Sequence, residues 1–296
     1  MGGTAGLEAA TDEREKHGLG ILLTTASAIA YSTAGFFTRL IHLDVWTVLF
    51  WRGIFAGLFI ACFIIWQNRR DTLAGVRAVG APGLLAASLS TLATIFFINA
   101  FRRTSVADVT VIYATAPFVT AALTWLWIGE RESWTTLVAS TAALLGVVVM
   151  VGGAVTAGHL FGDLLAFGMT LCMAVMMIII RKHRETPMLP AACLSAFLSA
   201  LVVWPAAHPG SAGPTDHAYL ALFGTTQFGL GLLLLTLGTR LISATESALV
   251  SALETPLAPI WVWLAFKEVP PLATLAGGTI VMAAVVGHIR TSRRSR

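Results

Sequence analysis

Stretches of about twenty apolar residues recur along the whole chain, parted by short polar turns. They predict membrane-spanning helices over 18–38, 45–67, 79–101, 105–128, 134–153, 160–180, 188–207, 218–239, 243–266 and 271–289. The seventh is bracketed by Pro190 and Pro205 and has the weakest outline. The connections are too short to hold a soluble domain. Ten crossings bring both ends of the chain to one side.

The pattern repeats. "AFRRTSVADVTVIYATAPFVTAALTWLWIGE" ends at Glu130, and "GTRLISATESALVSALETPLAPIWVWLAFKE" ends at Glu268. A shift of 138 aligns Arg102 with Arg240, Ser105 with Ser243, Asp108 with Glu246, Trp125 with Trp263 and Glu130 with Glu268. Pro117 and Pro256 stand 139 apart, one residue out of step. Gly20, Leu22 and Arg39 recur 142 residues later as Gly162, Leu164 and Arg181. Each unit therefore holds five helices, and an odd count turns the second copy over. The expected fold is an all-α integral membrane protein, ten transmembrane helices in two inverted five-helix repeats. The expected division is a cytoplasmic tail over 1–17, repeats over 18–153 and 154–290, and a basic cytoplasmic tail over 291–296. Two similar halves that can rock about a central site suit a transporter.

Composition agrees. The chain is 56% hydrophobic and 11% charged, with mean hydropathy +0.80, whereas a soluble domain carries about 25% charged residues. The net charge of +4 does not point to nucleic acid, because the basic residues lie at span edges. With both termini inside, the outer loops hold only Arg39, Arg102, Arg103 and Lys267 of the 19 lysines and arginines. Arg52 lies within a span, and the rest, including Arg69, Arg70, Arg77 and Arg296, fall inside. That bias predicts cytoplasmic termini. The segment through "TDEREKH" lacks the pattern of a secretory signal and reads as a frayed tail. Cys62, Cys172 and Cys193 read as buried small hydrophobes, without disulfide or metal spacing.

Two tandem units, each with a proline-bearing helix, a "GE" or "KE" turn and a final small-residue helix, resemble the drug/metabolite transporter superfamily. The nearest likeness is the EamA-type ten-helix branch, and within it the bacterial aromatic amino-acid exporters. The resemblance runs from about Gly18 to the end. It implies a multi-pass carrier of the bacterial inner membrane, monomeric or homodimeric, with helices 1, 3, 4, 6, 8 and 9 around the cavity. The small-molecule substrates it implies are amino acids, and the only other partner is membrane lipid.

Glu254 stands out in "SALETPLAPIWVW" (251–263). It lies about 12 residues, or roughly 18 Å, from either end of its span, too deep to snorkel. Pro256 and Pro259 cannot donate backbone hydrogen bonds, so the Ala252 and Thr255 carbonyls should be left open beside it. Such an electronegative patch suits an ammonium group or a proton, and a protonated glutamate bonded between helices is the alternative. In the first half, Pro117 similarly frees the Tyr113 carbonyl, but no acid stands there.

Further substrate-binding candidates are Tyr31 and Ser32 in span 1, and Ser90, Thr94 and Asn99 in span 3. Gln227 in span 8 joins them. Met173, Met176 and Met177 in "LCMAVMMIII" supply a deformable face, and Phe96, Phe97, Phe101 and Tyr113 aromatic surface. Serines and threonines more often bond their own helix. Arg52 reads as snorkelling or pairing with Asp44, and Asp108 and Glu246 as favouring positive helix ends. Ala142 with Gly146 and Ala283 with Gly287 predict close packing of spans 5 and 10 as scaffold.

Catalytic, metal and cofactor residues are expected to be absent. No Gly-x-x-x-x-Gly-Lys loop occurs, and the histidines, such as His17, His159 and His288, fall in tails, loops or span ends. The leading expectation is a secondary exporter of aromatic and other apolar amino acids. Export of drugs or lipophilic cations is the alternative within the class, and an intramembrane enzyme or a channel the alternative outside it.

Overall fold

The structure is a computed structural model, and it describes residues 2–68, 79–101, 103, 104, 106–129, 131–151 and 160–294. Arg69, Arg70, Arg77, Arg102, Ser105, Glu130, His159 and Arg296 lie outside these, as does the Phe101 side chain.

The regular elements of the described residues are all helices, without strands. Ten helices are long and apolar enough to cross a membrane: Glu13–Leu40, Val45–Gln67, Gly80–Ala100, Asp108–Ile128, Trp134–Val151, Leu160–Lys182, Leu189–Ala206, Pro214–Thr239, Ala244–Phe266 and Leu272–Ser292. They are numbered spans 1 to 10. A bilayer demands this, since each peptide group must find its partner within its own segment. The chief pairings are 5 with 10, 3 with 6, 2 with 7 and 1 with 8. Exchanging the two halves leaves that set unchanged.

Finer features repeat as well. Gly129 and Lys267, 138 apart, end spans 4 and 9 in the left-handed region, at φ 79° and 59°. Their amides donate to the Trp125 and Trp263 carbonyls, also 138 apart. A Cβ at Gly20 would lie 2.7 Å from Ile242, and one at Gly162 would lie 2.7 Å from Thr104. Each half thus presses the glycine of its first span against a turn of the other half.

Spans 5 and 10 do pack closely, through Gly146 of one expected pair but not through Gly287 of the other. A Cβ at Gly146 would lie 2.8 Å from the Gly277 carbonyl oxygen, whereas Gly287 has nothing within 4 Å. The helix phase turns Gly277, not Gly287, to the contact. Cys62 is exposed on span 2, not buried; Cys172 is buried and Cys193 partly so, and all three are free.

Residues 2–17, expected as a frayed tail, are helical. The first helix runs unbroken over Gly2–Ser32. His17 is buried, with Nε2 3.1 and 2.9 Å from the two carboxylate oxygens of Glu246. His288 Nε2 lies 3.1 Å from the same carboxylate, and Ser292 Oγ donates to it at 3.3 Å. Glu246 does sit in a first turn, where its amide donates to the Ser243 hydroxyl. Its carboxylate does more than complement a helix end: it ties spans 1, 9 and 10 together.

Glu246→Ala leaves two buried imidazoles without their acceptor and should cost about 3 kcal/mol. Thermal melting of the detergent-solubilised protein should show a clear drop, and an unchanged midpoint would mean the junction adds nothing.

Candidate functional site

Four spans lose regular helix in their interiors. Span 1 turns at Thr33 and span 4 at Thr115, and in each the threonine hydroxyl donates to the carbonyl three residues back at 2.6 Å. Span 9 turns at Ala252 and Leu253, the latter 138 residues beyond Thr115. Span 8 widens into a π-helix over Phe223–Leu230. Broken backbone is tolerated at such depth only inside protein or beside a wet cavity, and π-turns gather at functional sites.

The prolines act differently from the sequence expectation. Pro117 falls in the first turn of the segment Ala116–Ile128, where a missing N–H costs little. Pro256 is third in Glu254–Phe266. The Ala252 carbonyl is not left open, because the Thr255 amide donates to it at 3.2 Å. The break instead makes Glu254 the first residue of a new helix, at its positive end.

A cavity of about 740 Å³ lies against these breaks. It runs to the end of the molecule that carries Thr38, Arg39 and the turn Glu268–Pro271. Arg39 and Glu268 form a half-exposed ion pair at this mouth. The opposite end is held by the Glu246 junction, and there Arg181 donates to the Arg240 carbonyl and Arg240 to the Arg184 carbonyl.

Tyr31, Ser90, Thr94, Tyr113, Met173, Gln227 and Glu254 all line the cavity. The other expected residues do not. Ser32 is buried, donating to the Ile29 carbonyl and accepting from Trp261 Nε1 at 2.8 Å. Asn99 bonds its own helix at the Ile95 carbonyl, 2.8 Å away. Pro117 is buried between helices, and Pro256 packs toward Gly278. Met177 turns into the core with Ile178 and Met188. Met176 lines the wall as expected and Met169 joins it; they share a helix face with Met173 at spacings of three and four. That spacing was readable in the sequence.

Arg52 was misjudged. It neither snorkels nor pairs with Asp44, whose carboxylate accepts from the Thr47 amide at 2.9 Å. Slight burial pushes the Asp44 carboxyl up, but hydrogen bonds from Thr47 outweigh it and hold the group below its ordinary value. Arg52 turns into the cavity. Its guanidinium lies 4.4 Å from the Phe228 ring and 5.6 Å from the Phe223 ring. Nε has no hydrogen-bond partner, and Arg52 forms no ion pair with a described residue. Both rings belong to the π-helix, 171 and 176 positions away, so no local signal announced the contact.

Glycine brings that platform close. A Cβ at Gly224 would lie 2.8 Å from the Arg52 carbonyl oxygen and 2.7 Å from Phe55. Phe223 in turn stacks on Phe37 at 4.9 Å. Gln227 donates from Nε2 to the Tyr31 carbonyl at 3.3 Å, which leaves its own Oε1 buried without a partner. Glu254 makes no hydrogen bond or ion pair with a described residue, and its charge and that of Arg52 act on each other. No group of His, Cys, Asp and Glu suited to a metal occurs among the described residues.

Ten apolar helices around one deep, mixed polar and apolar cavity define a multi-pass membrane transporter. The chain belongs to the EamA-like transporter family, whose model matches residues 18–152 and again 160–290. It therefore contains two copies of the family unit, and it is a solute transporter, not an enzyme. It is similar to the mouse (Mus musculus) protein "Solute carrier family 35 member G1", 24% identical over 91% of this chain and 78% of the relative. The human (Homo sapiens) protein of that name is 25% identical over the same shares. A crystal structure superposes with a TM-score of 0.73 at 16% identity, covering 94% of this chain and 98% of the other. That likeness speaks to the fold alone.

Gly224→Ala should push the π-helix off span 2 and cost about 1–3 kcal/mol by overpacking. Gly210→Ala, with open space around it, should be silent. Equal melting temperatures for the two variants would contradict the tight contact.

Proposed function

We propose that this transporter exports amino acids, aromatic and other apolar ones first, by alternating access. The observation that carries the reading is Glu254, a carboxylate without a hydrogen bond or ion pair to a described residue, in a cavity whose wall includes Tyr31, Tyr113 and the methionines 169, 173 and 176. An acid without an ion-pair partner offers a counter-charge to an ammonium group, while thioethers and rings adapt to varied side chains. Alternating access is supported by the contrast between the ends. One is open to the cavity, and the other is held by contacts that separate groups could break and remake. The two copies, 18–153 and 154–290, are read as inverted because each crosses the membrane five times. A bacterial inner membrane with cytoplasmic tails at 1–17 and 291–296 is the setting we infer.

A second reading is supported by the same residue: Glu254 among rings would also hold a lipophilic cation. Counterflow in proteoliposomes separates them. Vesicles preloaded with unlabelled phenylalanine should draw in labelled phenylalanine transiently, with other apolar amino acids competing. Glu254→Gln should slow uptake about tenfold or more, as expected for a lost charge-assisted contact. No phenylalanine uptake, with a quaternary cation carried instead, would replace the amino-acid reading.

Orientation has its own test. Green fluorescent protein fused after Arg296 should fluoresce and alkaline phosphatase fused there should be inactive. The reverse pattern would invert the topology.

A further inference from the structure

We propose that Arg52 is the carboxylate anchor of the cavity, so that the solute is held as a zwitterion, its ammonium group at Glu254 and its carboxylate at Arg52. The inference rests on the amino-acid reading and extends it to the feature that sets selectivity.

Arg52 enters the bilayer region about 10 Å from the start of span 2, at 1.5 Å per residue. An arginine at that depth costs free energy unless it is paired or solvated. A carboxylate is at hand in the same cavity, and the two charges sense each other. Yet no ion pair forms between them. Each is held back by its own backbone. The π-helix lays Phe228 and Phe223 beneath the guanidinium, and the break at Ala252 and Leu253 fixes Glu254 at a helix start.

A ring holds a cation without taking up its N–H donors, so the guanidinium keeps an edge. That edge carries planar N–H donors matched to both oxygens of a carboxylate. Nε, one of those donors, is buried without a partner. An α-amino acid carries both charges on one carbon, so it can satisfy the two separated groups at once. Its side chain then meets the wall of Met173, Met176 and Tyr113. A lipophilic cation would satisfy Glu254 but set a positive charge near Arg52, and an aromatic acid would do the opposite. The pair of separated charges thus selects against both singly charged analogues.

The test is competition in the counterflow assay, with labelled phenylalanine against phenylalanine, phenethylamine (which lacks the carboxylate) and 3-phenylpropionate (which lacks the amine). Wild type should prefer phenylalanine over either analogue by about tenfold or more, as sites built for a polar group reject ligands lacking it. Arg52→Gln should bring phenethylamine level with phenylalanine while 3-phenylpropionate still competes poorly. Arg52→Lys, which keeps the charge without the planar fork, should retain part of the preference. Ratios within one variant do not depend on how much protein is folded. Wild-type preference persisting in Arg52→Gln would overturn the anchor while leaving amino-acid export intact. Equal transport of phenylalanine and phenethylamine by wild type would overturn it too. No phenylalanine transport by wild type would remove the amino-acid reading and the anchor together.

Discussion

A bilayer cannot solvate a peptide group or a charge, and the rest of this structure is arranged around that constraint. Regular helix satisfies the backbone everywhere it faces lipid. The departures, at Thr33, Thr115, Ala252 and Leu253 and along Phe223–Leu230, adjoin one cavity. Where the ladder stops, local groups take over: threonine hydroxyls close on carbonyls behind them, and the Thr255 amide reaches Ala252. The irregular segments hold the functional chemistry, because only they can place Glu254 at a helix start and two rings under Arg52.

The two copies share a backbone but not a charge pattern. The break at Thr115 recurs at Leu253 and the left-handed cap at Gly129 recurs at Lys267, both 138 later, and the close glycine contact of Gly20 recurs at Gly162, 142 later. The position equivalent to Glu254 is Ala116, and the position equivalent to Arg52 is Leu194. Duplicated shape gives two halves that pack alike, while the first contributes Arg52 and the second Glu254 to the interior of a common cavity. A symmetric pair of acids would repel, and a symmetric pair of arginines would leave two cations without a partner. The asymmetry is what makes the site suited to an unsymmetrical solute.

Much of the fold was legible from local properties. Hydropathy over about twenty residues marks a span whatever surrounds it, and all ten observed spans overlap their expected ranges. The depth of Glu254 and the nearness of a break followed from its position and from Pro256, since both are facts about the chain alone. The helical course of residues 2–17 was not legible, because their mixed charge is typical of a solvated end. Only the fold shows that His17 reaches Glu246, 229 residues away.

The cavity wall was decided by tertiary structure. Tyr31 and Ser32 are neighbours in sequence, yet one faces the cavity and the other accepts a bond from Trp261. Met176 lines the space and Met177 the core. A helix that is apolar on every side carries no record of its own rotation, so the sequence could set how many helices cross and where they break, but not which face each presents. That rotation is fixed by contacts from distant spans, such as Gly224 against the Arg52 carbonyl and Phe228 beneath its guanidinium. Arg52 became a site residue only through those contacts.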